Sequence, residues 1–243
     1  FMCSTFAWRN MATEMSKKGY ECVLADIPNF GYSTRETPEM EIIDREILIT
    51  KLMESIAPMD EWILAGHSMG GGVAVNIAIE NPVKALLLYC PAPQSEFPEA
   101  MKGLIQSDIM KGTMNVFFKY GTEVDPLVKM VIFMATLDCK FSKDYELDGV
   151  TDAVQYDGFG AGMCEMMYNV RPTDLENTDE IHCPVLLVQA SGDMVLNAQM
   201  KDQMNSAFPD ATTYNVIGGG HQCIENRAQE LATVTSLFLW KNK

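Results

Sequence analysis

The sequence predicts an α/β protein: a mostly parallel sheet flanked by helices, with one helical insertion. Three observations predict it. Short apolar runs alternate with helix-period segments in both the first and last parts of the 243-residue chain, the pattern of βαβ units with strands buried on both faces. The alternation stops between about 93 and 175, where several helix-like segments follow one another without a convincing strand. Finally, GHSMGG (66–71) joins an apolar run ending at Ala65 to a second that begins at Val73.

In chain order, residues 7–18 read as an amphipathic helix and YECVLA (20–25) as a strand ending at Asp26. A Thr-Pro start opens a helix over 39–57. A strand at 61–65 enters the glycine turn, a helix over 69–80 leaves it, and VKALLLY (83–89) is a further strand stopped by Pro-Ala-Pro. After the insertion come a strand at 185–188, a helix near 196–207, a strand at 212–216 and a closing helix near 224–240. The domain reading is therefore a core of 1–92 and 176–243 carrying a helical lid, 93–175. The lid holds eight of the 18 methionines (Met101, Met110, Met114, Met130, Met134, Met163, Met166, Met167) and also Phe117, Phe118, Phe133 and Phe159. Thioethers adapt to irregular apolar ligands, so these side chains are expected to line a pocket.

Composition narrows the function classes. A net charge of −15 leaves no basic face for nucleic acid or an anionic membrane. No run approaches the length of a membrane span, and FMCSTFAWRN lacks the charged start and apolar centre of a signal peptide. Seven scattered cysteines with no C-x-x-C pair read as reduced thiols of a cytoplasmic protein, not as a disulfide framework or zinc site. Neither a cofactor nor a metal is expected.

A serine between glycines at a strand-to-helix turn is placed for nucleophilic attack, but its hydroxyl is inert until a base takes the proton. Three histidines are available. His67 is inside the turn itself, and His182 precedes a strand, at the wrong end of the sheet. His221, in GGGH just past the last strand, shares the carboxyl edge with Ser68 and is the expected base. Asp193, in QASGD after the preceding strand, opens onto the same edge and is the expected acid. Glu96, seven residues beyond the strand ending at Tyr89, is the alternative acid. The amide of Met69, at a helix N-terminus, is expected to face a developing oxyanion.

GHSMGG resembles the nucleophile elbow of the α/β-hydrolase superfamily, and the order Ser68, Asp193, His221 is that family's order. GYECVLADIPNFGYST resembles its G-Y-x-V-x-x-x-D-x-P-G-x-G-x-S stretch, with Asn29 where glycine is usual. CPVLLVQASGDMVLN resembles its acid strand and loop, with Asn197 where proline is common. The resemblance implies that Asp26 and Ser33 brace a loop and that Cys223 is a buried small group. It also implies that Phe1 falls on the position giving the second oxyanion amide. On the same comparison, the strand at 20–25 takes its neighbour from a segment upstream of residue 1. An upstream segment of some tens of residues is therefore expected, and 20–25 should not pair directly with 61–65.

The reading that follows is a serine esterase acting on a small or medium apolar ester. A serine elbow argues against the dehalogenase and epoxide hydrolase branches, whose elbows carry aspartate. Carbon–carbon hydrolysis of a diketone-like substrate uses the same triad. Peptidase, perhydrolase and thioesterase readings also remain open, and a ligand-binding protein that keeps the fold is the alternative from another class.

Overall fold

A computed structural model describes residues 3–37, 40 and 43–242. Four strands, β1 (Ile63–His67), β2 (Ala85–Tyr89), β3 (Val185–Ala190) and β4 (Thr212–Val216), form a parallel sheet in chain order. The register pairs His67 with Tyr89, Tyr89 with Val188, and Ala190 with Val216. All four carboxyl ends therefore come to one edge.

Alternate residues of the central strands face opposite sides, as the pleat requires. Leu87, Tyr89, Leu186, Val188 and Ala190 enter one core with Met11 and Met15 of α1 (Arg9–Ser16) and Leu231 and Phe238 of α12 (Ala228–Lys241). Leu86, Leu88 and Leu187 enter the other with Val75 and Ala78 of α3 (Met69–Glu80), Met53 of α2 (Arg45–Ile56) and Met204 of α10 (Ala198–Ala207). Both faces are covered, which is why these strands are apolar throughout instead of alternating.

Between β2 and β3 lie six α-helices and, among the described residues, no strand: α4 (Glu99–Gln106), α5 (Asp108–Gly121), α6 (Asp125–Thr136), α7 (Cys139–Lys143), α8 (Asp148–Gln155) and α9 (Phe159–Tyr168). Phe118, Phe159, Met163 and Met166 form an apolar cluster with Phe30, and Met69 and Met114 pack against it. A buried Lys111–Glu165 pair at 2.5 Å joins α5 to α9. Met101, Met130, Met134, Phe117 and Phe133 instead face solvent, which corrects the expectation that the insertion's sulfur and aromatic groups all point inward. Both α5 and α6 carry apolar residues beyond their packed face, so composition does not distinguish inside from outside.

The expected strand at 20–25 does not form. Residues 20–25 make no ladder with β1 or with any described segment, and Val23 and Leu24 are exposed. Strand-like composition does not create a strand without a neighbour to take its backbone hydrogen bonds. The helix expected over 39–57 begins at Arg45, where Asp44 caps it by accepting from the Ile47 amide at 2.8 Å; residues 39, 41 and 42 of that reading lie outside the described residues. The closing helix is broken, with a short α11 (Cys223–Asn226) before α12.

Candidate active site

Ser68 follows β1 directly and takes φ 54°, ψ −126°, a left-handed conformation costly for a residue with a side chain. Backbone bonds hold it there: its amide donates to Tyr89 O at 3.1 Å, and its carbonyl accepts from the Gly71 and Ala92 amides at 2.9 Å each. Only one of the two motif glycines is sterically required. A Cβ at Gly66 would lie 2.3 Å from the Gly70 carbonyl oxygen, whereas a Cβ at Gly70 would meet nothing within 4 Å. The serine itself is 6% exposed, so it does not sit on an open apex.

His221 and Asp193 reach the same place from the carboxyl ends of β4 and β3. His221 Nε2 lies 2.8 Å from Ser68 Oγ, and His221 Nδ1 lies 2.8 Å from Asp193 Oδ2. The other Asp193 oxygen accepts from the amides of Val195 at 2.8 Å and Leu196 at 3.0 Å. Burial works to raise the Asp193 carboxyl, but the His221 hydrogen bond and charge, with those two amides, hold it below the ordinary carboxylate value. A carboxylate facing Nδ1 keeps the ring proton there and leaves Nε2 free to accept from the serine. The structure thus brings Ser68, His221 and Asp193 together. Glu96 stays away, mostly exposed and 3.5 Å from Lys102 Nζ. His182 is exposed ahead of β3.

His67 has a part that the sequence reading missed. Its Nε2 is 2.8 Å from the His221 carbonyl oxygen, and the two rings lie 4.9 Å apart. Burial, then the adjacent His221 ring, pushes His67 down to about 3. A neutral His67 therefore donates from Nε2 and anchors the backbone of the base loop. That loop is also tied to the insertion, since the Gln222 amide donates to Ala135 O at 2.8 Å. The one available signal was position: the last residue of a strand, on the edge where the base had to lie.

Met69 begins α3, so its amide has no partner within the helix. Phe1, the other expected donor, lies outside the described residues. Asp26 braces its loop by accepting from the Thr5 amide at 2.6 Å and the Tyr32 amide at 3.2 Å, while Ser33 Oγ donates to Asp26 O. Asn29 has φ 75°, a conformation asparagine tolerates better than most residues, which explains its standing in for glycine. Asn197 caps α10 by accepting from the Met200 amide at 2.9 Å. Cys223 is fully buried, with its sulfur 3.7 Å from that of Cys90.

Comparison with known proteins agrees with this architecture. An uncharacterized hydrolase of Bacillus subtilis, YugF, is 20% identical over 244 residues, spanning 98% of this chain and 87% of its own. The pimeloyl-[acyl-carrier protein] methyl ester esterase of Proteus mirabilis is 32% identical over 107 residues, 43% of this chain and 38% of the esterase. Among solved structures, the meta-cleavage product hydrolase CumD of Pseudomonas fluorescens superposes with a TM-score of 0.74 at 16% identity, covering 98% of this chain and 85% of CumD; at that identity the likeness is one of fold. With the alpha/beta hydrolase fold profile matching residues 4–227, the chain belongs to the α/β-hydrolase family.

Proposed function

We propose that this chain is a serine hydrolase that cleaves a carboxylic ester of a small or medium apolar substrate through an acyl-enzyme on Ser68. The observation that carries the reading is the unbroken chain of two 2.8 Å contacts from Ser68 Oγ through His221 to Asp193. Attack of Oγ on the ester carbon sends its proton to His221 Nε2, and the imidazolium forms against the Asp193 carboxylate. The oxyanion takes the Met69 amide, and the imidazolium returns its proton to the leaving alkoxide. Water then repeats the sequence, with His221 as base, to release the acid and Ser68. His67 and the two amides on Asp193 position these groups and touch no reacting atom.

Residues 93–175 act as the lid. The buried cluster of Phe118, Phe159, Met163 and Met166 meets the core at Met69, next to the nucleophile, so the apolar part of the insertion packs beside Ser68, and the acyl group is assigned to that side. The esterase named above is consistent with an ester substrate. Among the described residues no helix is long and apolar enough to cross a membrane; the reading of the protein as cytoplasmic rests on its seven free, scattered cysteines.

The test is a panel of p-nitrophenyl esters from acetate to octanoate, with Ser68→Ala as control. Each buried methylene contributes roughly 0.8 kcal/mol, so kcat/KM should climb by up to about fifteenfold per two carbons until the pocket fills, and Ser68→Ala should abolish turnover. A flat or falling response from acetate to hexanoate opposes the apolar pocket. Turnover of a vinylogous diketone with inert esters would move the assignment to carbon–carbon hydrolysis. Tight ligand binding without turnover would make the chain a binding protein.

A further inference from the structure

We propose that Cys90, Asp193 and His221 together form a binding site for a thiophilic divalent cation, of the Zn²⁺ or Cd²⁺ class, and that filling it switches the triad off. The proposal rests on the hydrolase reading above for its consequence, but not for its geometry. Cys90 follows β2 at the same carboxyl edge, is fully buried, and is held at φ 43° with its amide donating to Val188 O at 2.8 Å. Its sulfur, a carboxylate oxygen of Asp193 and a ring nitrogen of His221 all lie within 4.8 Å of one another. Nothing in the hydrolytic steps uses that thiol.

The donor spacing suits a four-coordinate cation. Bonds of about 2.3 Å to sulfur and 2.0 Å to nitrogen or oxygen put tetrahedral donors about 3.2 to 3.8 Å apart. The His221–Asp193 contact would open by about half an ångström, and Cys90 would close in. Charge also balances. One thiolate, one carboxylate and a neutral imidazole around a dication sum to zero, which a buried site requires. Sulfur and imidazole donors favour Zn²⁺ and Cd²⁺ over Mg²⁺ and Ca²⁺, which take oxygen.

Binding proceeds by exchange of protons for metal bonds, with no change of oxidation state. Cys90 loses its thiol proton to solvent as the metal–sulfur bond forms, and a water takes the fourth position. The metal takes the Nδ1 lone pair facing Asp193, and the ring proton moves to Nε2. A neutral ring protonated on Nε2 cannot accept the proton of Ser68, so acylation stops.

The experiment uses the chain with its exposed thiols removed (Cys22→Ala and Cys139→Ala), reduced and cleared of metal with a chelator. Cd²⁺ and Zn²⁺ are titrated in turn. Ultraviolet thiolate-to-cadmium charge-transfer absorption reports binding, and p-nitrophenyl ester hydrolysis reports activity. One equivalent should saturate the absorption while hydrolysis falls in step, and excess chelator should restore it. Cys90→Ala should keep its basal hydrolysis but need about tenfold or more metal for half-inhibition, since even outer-shell changes at metal sites cost that much. Cys90→Ser, which keeps the volume and removes the soft donor, covers the case in which the alanine variant does not fold. Absence of the band, or unchanged inhibition in both variants, overturns the proposal. A Cys90-dependent band in a chain that hydrolyses no ester would leave the metal site standing and remove the esterase reading.

Discussion

Replacing Asp193 by asparagine tests its proposed role as the acid, because the structure dictates how the new amide must sit. One carboxylate oxygen accepts two backbone amides, from Val195 at 2.8 Å and Leu196 at 3.0 Å; the other accepts from His221 Nδ1 at 2.8 Å. Asparagine has one oxygen to offer. Turning its NH₂ toward the two amides would set donor against donor and leave the buried Leu196 N–H unpaired, at about 1–3 kcal/mol, and the part-buried Val195 N–H with it. The oxygen therefore keeps the amides, and the NH₂ faces His221. Nδ1 must then accept, the ring proton passes to Nε2, and the base can no longer take the proton of Ser68. A wrong-tautomer base costs about 10⁴-fold in kcat, or about 5 kcal/mol of transition-state stabilisation. The assay is kcat/KM on p-nitrophenyl butanoate beside the rate of fluorophosphonate labelling, which needs the same activated oxygen. Both should fall together while thermal melting shows a folded protein. Asp193→Asn with more than about a tenth of wild-type activity would refute the reasoning, since some other carboxylate would then be holding His221.

The elbow glycines should behave oppositely: Gly66→Ala forces a Cβ to 2.3 Å from the Gly70 carbonyl oxygen and should lower both melting temperature and turnover, while Gly70→Ala should leave the melting temperature unchanged or higher. His67 gives a pH signature. Its folded-state value lies near 3 against 6.5 for the free side chain, so the unfolded chain takes the proton first as pH falls. Stability from this group is complete above about pH 6.5 and is lost toward pH 3, by about 3 kcal/mol at pH 4; denaturant titrations at pH 7 and pH 4 should show a smaller acid loss in His67→Gln. Lys111→Met strands the Glu165 carboxylate in the insertion and should cost about 3 kcal/mol or more, read as lowered protection of α5 and α9 in hydrogen exchange.

Why some of this was legible in the sequence and some was not follows from what each feature depends on. Ser68, Asp193 and His221 each follow a strand, and a parallel sheet carries all such positions to one edge, so strand order alone predicts their meeting. Boundaries moved by about two residues because Gly66 and His67, read as turn, still pair in the ladder with Leu88 and Tyr89. Residues 20–25 failed for a different reason: ladder formation belongs to two segments, and local composition describes one. Asn29 and Asn197 looked like departures from a motif, but Asn29 tolerates the positive φ that glycine would take, and Asn197 starts α10 with a side-chain cap where proline would start it by its fixed φ. The Cys90–Cys223 contact spans 133 positions, with no spacing pattern to announce it. It arises because one thiol ends β2 and the other opens the helix after the base. The edge rule that locates the triad therefore applies to any reactive residue one step past a strand, and Cys90 was within its reach.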